Sequence, residues 1–118
     1  MSTVFVFGSN LAGRHGAGAA LTARLGWQAQ TGVGVGRTGQ AYAIPTKDER
    51  LKVLQLPIIR EYVDLFVGYA KAHPELRFLV TRIGCGLAGY TDAQIAPLFR
   101  GAPENCEMPK GWRLRNQK

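Results

Sequence analysis

The 118 residues of the chain fit one compact domain, enough to bury about two-thirds of the surface that its unfolded form exposes. Fifteen Lys plus Arg against eight Asp plus Glu give a net charge of +7, and the 46% hydrophobic content is that of a globular protein, which excludes disorder. The positive excess favours anionic partners: nucleic acid, nucleotide or an acidic protein surface.

Lys110, Arg113, Arg115 and Lys118 carry much of that excess, so residues 108–118 read as a basic tail anchored by Trp112. Apolar runs such as residues 4–7 are far shorter than the roughly 20 residues of a membrane span. No charged-then-apolar leader opens the chain, and the expectation is a cytoplasmic protein without membrane contact. Its two cysteines, Cys85 and Cys106, are expected as reduced thiols. With His15 and His73 they share no metal-ligand spacing, so neither metal nor cofactor is expected.

In chain order, Thr3-Val4-Phe5-Val6-Phe7 is a β-favouring run without polar alternation, which predicts a central strand buried on both faces and ended by Gly8-Ser9-Asn10. Glycines 13, 16 and 18 bracket Arg14 and His15, and Ala19 to Leu25 follows as a helix former stopped by Gly26. Glycines 32, 34, 36 and 39 then allow at most a short strand. A strand is predicted over residues 41–44, left by Pro45-Thr46-Lys47-Asp48 and a charged surface loop to Lys52. Leu56, Ile59, Val63, Phe66, Val67 and Ala70 recur at helical steps, with Pro57 in the first turn and His73-Pro74 as the stop.

Phe78-Leu79-Val80-Thr81 is the next buried strand, feeding Gly84-Cys85-Gly86-Leu87-Ala88-Gly89-Tyr90. A helix then starts at Thr91, where Gln94 has capping-box spacing and Asp92 suits the helix N-terminus. After Phe99 no period is evident. Strands separated by helices imply an α/β fold: a mainly parallel mixed sheet covered on both faces, the three-layer α/β/α arrangement. Ligands in such sheets bind beyond the carboxyl ends of the strands, so both glycine turns should face one site.

Gly13-Arg14-His15-Gly16-Ala17-Gly18 before a helix offers approachable backbone amides and a positive dipole end, which suit a phosphate. P-loop spacing is absent, and glycines also simply make tight turns. The second loop sits at the corresponding place of a later strand-helix unit, and two loops can clasp a diphosphate. The alternative is two structural turns.

Asn10 suits a ribose hydroxyl or, equally, a turn cap. Lys47 is a nucleophile if desolvated and otherwise a solvated charge. His15 is read either as a phosphate donor or as an ordinary surface histidine. Arg82 either contacts ligand or pairs with a loop carboxylate. Cys85 is read as a packing residue, because no histidine lies near it in sequence. Tyr90, closing the second loop, is a stacking candidate, whereas Tyr42 is assigned to the core.

Gly8-Ser9-Asn10, His15-Gly16-Ala17-Gly18-Ala19, Ile44-Pro45-Thr46-Lys47 and Arg82-Ile83-Gly84-Cys85-Gly86-Leu87 resemble a macrodomain, nearest the subclass of terminal ADP-ribose-protein glycohydrolase. The chain is also similar to short macrodomain-like proteins of phages and bacteria. The resemblance implies a domain that takes ADP-ribose, an ADP-ribose-derived metabolite, or ADP-ribosylated protein or nucleic acid. It implies ligand contacts from Gly8, Asn10, His15, Gly16, Gly18, Arg82, Gly84, Cys85, Gly86, Leu87, Gly89 and Tyr90, with Lys47 as catalytic nucleophile. The family's catalytic aspartate after the Gly-Cys-Gly-Leu run is Ala88 here, which leaves the lysine without a proton acceptor unless Asp48 or Asp92 substitutes. No acidic residue precedes Asp48 to hold adenine.

Three functions therefore compete: an ADP-ribose binder with glycohydrolase activity, a non-catalytic module that sequesters an NAD-derived signal, and a basic nucleic-acid-binding protein. The last lacks an interleaved aromatic and basic stripe.

Overall fold

The computed structural model describes residues 2–113. Its sheet has five strands in the order β2-β3-β1-β4-β5: β1 is Thr3–Asn10, β2 Gly36–Thr38, β3 Ala41–Lys47, β4 Arg77–Val80 and β5 Cys106–Glu107. β1 lies between β3 and β4 and runs parallel to both, β5 runs parallel to β4, and β2 alone is antiparallel, against β3. Helix α1 spans Gly18–Gly26, α2 Leu56–Ala72 and α3 Asp92–Ile95, the last continuing as a 3₁₀ turn over Ala96–Phe99. The fold is α/β with three layers, because alternate residues of β1 and β3 enter separate cores on the two faces.

On one face Val4 and Val6 of β1, Tyr42 and Ile44 of β3, and Phe78 and Val80 of β4 pack against Ile59, Val63, Phe66 and Ala70 of α2. On the other, Phe5 and Phe7 meet Ala41, Ala43 and the small residues Ala20 and Ala23 of α1. Alanines on both helix and strand let α1 lie close to the sheet, so its modest apolar content suffices. Trp27 stacks on Phe5 to close that side, the ring centroids 5.2 Å apart.

The α2 stripe is the one predicted, with Pro57 in its first turn, where a missing N–H costs nothing. Thr91 caps α3 with the reciprocal Gln94 bonds of a capping box, although the helix is a single turn. Tyr42 lies in the core as expected. The strands run further than the sequence implied. β1 continues through Gly8-Ser9-Asn10, and β3 continues through Pro45 to Lys47. β5 has no alternating pattern in sequence and is held by Cys106 in the core and an Arg77–Glu107 ion pair at the edge. No helix among the described residues is long and apolar enough to cross a membrane.

Candidate functional site

The parallel strands β1, β3 and β4 deliver their carboxyl ends to one edge of the sheet, where ligands of open α/β sheets bind. A β-bulge shapes that edge. The pairing runs Ser9↔Pro45 and then Asn10↔Lys47, so Thr46 is the extra residue. Pro45 removes one donor from the ladder at this point, and the Thr46 hydroxyl donates instead to the Ser9 carbonyl. The bulge puts Lys47 where Thr46 would otherwise face Asn10, and bulges of this kind re-aim side chains beside active sites.

The second glycine loop, residues 82–90, crosses this edge. A Cβ built on Gly8 would lie 3.6 Å from the Gly84 nitrogen and 3.7 Å from the Thr46 hydroxyl. β1, β3 and the loop after β4 therefore meet at Gly8. Gly84 has φ +77°, and a Cβ there would lie 3.1 Å from the Ile95 side chain, so the turn itself requires glycine. Gly86 differs: it is exposed, its φ lies outside the left-handed region, and a Cβ there would meet nothing within 4 Å. Gly16 on the first loop is open in the same way.

The first loop is pinned by its neighbours. Gly13 and Gly34 are required by close approach: a Cβ on Gly13 would come within 2.3 Å of Gly32, and one on Gly34 within 2.1 Å of the Asn10 carbonyl. Gly32 and Gly34 thus form the bed for residues 10–13, a role their sequence did not disclose. Gly18, with φ +58°, begins α1, whose N-cap Ala17 supplies no side-chain bond to the first amides. These N–H groups and the helix dipole are available to an anion.

Asn10 is spent within this loop. Its amide nitrogen donates to the Arg14 carbonyl at 2.9 Å, and its oxygen accepts from the Arg14 N–H at 3.0 Å. That is the turn-capping role. His15 is not a surface histidine: it is 3% exposed, edge-on to Phe7, with Nε2 3.1 Å from the Val33 carbonyl and Nδ1 buried without a partner among the described residues. It ties the first loop to the glycine bed, because Phe7 and Val33 enclose the ring.

Arg82 is likewise structural, donating to Asp92 at 2.7 Å and to the Lys110 carbonyl at 2.9 Å. Tyr90 donates its hydroxyl to the Leu54 carbonyl at 2.6 Å and tucks its ring beneath Gly84, joining the second loop to the segment before α2. Cys85 is half-buried; burial, the adjoining Asp92 carboxylate and the S–H bond to it push its thiol up to about 11, so it remains a thiol at neutral pH. Leu87 is 77% exposed at the loop tip, and Gly89 is open.

The Lys47 side chain is half-buried and makes no hydrogen bond or ion pair among the described residues. Neither aspartate considered as a substitute for Ala88 forms an ion pair with it. Asp48 accepts from the backbone N–H groups of Arg50 and Lys52 at 2.8 and 2.9 Å and closes its own loop. Asp92 accepts from Arg82 and from the Trp112 indole. No cluster of three or more His, Cys, Asp or Glu side chains able to hold a metal occurs among the described residues.

Trp112 is buried as expected, 5.5 Å from Phe99 between ring centroids, and Arg113 donates to the carbonyls of Ala102, Pro103 and Cys106. The tail is thus folded onto the body through Arg113, while the expectations for residues 114–118 lie outside the described residues. No family model, curated protein or solved structure matches the chain.

Proposed function

We propose that the chain is a macrodomain-like module that binds ADP-ribose or a related NAD-derived nucleotide at the carboxyl end of β1, β3 and β4. The observation that carries this reading is that two glycine loops leave the carboxyl ends of the adjacent parallel strands β1 and β4, with open backbone at Gly16 and Gly86, and that Lys47, at the same end of β3, has no side-chain partner among the described residues. Exposed amides, a helix N-terminus and an ammonium group suit a diphosphate. Arg14, Arg50 and Lys52 on the adjoining loops add positive charge.

Binding without efficient hydrolysis is favoured over glycohydrolase activity. A lysine nucleophile must first lose a proton, and Ala88, Asp48 and Asp92 leave it without a carboxylate to take one. In this reading Lys47 serves as a counter-ion to the ligand phosphates. A ligand-derived signal or an ADP-ribosylated partner would be held rather than turned over.

Gly86→Val tests the site. The position does not need glycine's backbone freedom and a Cβ there meets nothing within 4 Å, so the added side chain covers the backbone from open space. Calorimetry should show ADP-ribose affinity falling about tenfold or more, a loss of about 1.4 kcal/mol or more, at an unchanged melting temperature. Unchanged affinity would make the loop structural only.

A further inference from the structure

Asp92 and Trp112 play no part in the ligand contacts just described, yet they bring the second glycine loop and the C-terminal turn together. The Asp92 Oδ1 accepts from Arg82 Nη1 at 2.7 Å and from the Trp112 indole N–H at 2.9 Å, and Cys85 Sγ lies 3.6 Å away. Arg82 and Cys85 flank the start of the loop, while Asp92 follows its end. One carboxylate oxygen thus closes the base of the loop. The second arm of Arg82 donates to the Lys110 carbonyl, two residues before the buried indole.

We propose that Trp112 and Asp92 are positioning residues: the C-terminal turn latches residues 82–92 and thereby sets the open conformation of the Gly86 backbone for its ligand. The latch rests on the functional reading above only for its consequence, ligand affinity. The link itself is geometric. The Arg82–Asp92 pair is solvent-exposed, 44% and 56% by side chain, and an exposed pair alone contributes little. The buried indole, packed at a tilt against Phe99, supplies the fixed point that the pair lacks.

Trp112→Phe removes the N–H donor and keeps a ring against Phe99. Asp92→Ala removes the shared acceptor at an exposed position, whereas Asp92→Asn retains a carbonyl oxygen for the indole. Two measurements on the full chain read the latch: calorimetric affinity for ADP-ribose, and alkylation of Cys85 by iodoacetamide at pH 8, followed by peptide mass spectrometry to separate it from Cys106.

Asp92→Ala should raise the Cys85 alkylation rate severalfold, because the carboxylate that helps to hold the thiol protonated is gone and the loop base is open. Trp112→Phe should raise it severalfold by freeing the loop, and both variants should lose most ADP-ribose affinity. Asp92→Asn should retain affinity. Failure of the unaltered protein to bind ADP-ribose would remove the functional reading and leave the thiol rates to decide the latch. Folded Asp92→Ala and Trp112→Phe proteins whose Cys85 reacts at the unaltered rate would overturn it.

Discussion

At the scale of single residues, several side chains that read as ligands in sequence are occupied in holding the site together. Asn10, His15, Arg82 and Tyr90 each complete a hydrogen bond within or between loops. Their identities were legible and their roles were not, because a polar residue beside a glycine turn serves a ligand or its own backbone with the same sequence signature. Lys47 is the exception: its position was legible from Ile44-Pro45-Thr46-Lys47, and beside the bulge at Thr46 its side chain has no partner among the described residues. If it acts as a counter-ion, Lys47→Ala should weaken ADP-ribose binding. Borohydride added to the unaltered protein with ADP-ribose should then trap no lysine adduct, which mass spectrometry would reveal. A trapped adduct would instead establish Lys47 as a nucleophile, and rapid release of ADP-ribose from a modified glutamate would make Asp92 and Asp48 the next residues to substitute.

At the scale of elements, periodicity predicted what packing confirms wherever one helical stripe or one apolar run meets a broad core. Phe66 lies at the centre of the α2 stripe, fully buried, with ring centroids 5.1 Å from Tyr42, 5.4 Å from Phe78 and 6.2 Å from Phe99. Phe66→Ala should cost about 3 to 5 kcal/mol as a large-to-small change in such a core. A denaturant curve that barely moved would mean that α2 does not pack on this face. The ends of elements were less legible. Gly8 and Pro45 look like breaks in sequence, but inside a central sheet the neighbouring strands override local preference, and Pro45 is tolerated beside a bulge. β5 was illegible because its pairing with β4 depends on Cys106 burial and the Arg77–Glu107 contact, which no periodicity reveals.

At the scale of the whole molecule, the topology brings together what the sequence keeps apart: a glycine loop after β1, a lysine at the end of β3 and a second glycine loop after β4. Strand parallelism, predicted from the strand-helix order, is enough to place them at one edge. The net charge of +7 is compatible with a nucleotide or with nucleic acid, and so does not choose between them. Only a ligand that spans both loops uses the full geometry of that edge. The most direct test is calorimetric titration of the unaltered protein with ADP-ribose, AMP and a short oligonucleotide at two salt concentrations. ADP-ribose should bind at one site, about tenfold or more tighter than AMP, because AMP lacks the second phosphate that two loops can share. Equal affinity for AMP, or tight oligonucleotide binding with the steep salt dependence of phosphate-backbone contacts and no response to ADP-ribose, would contradict the account.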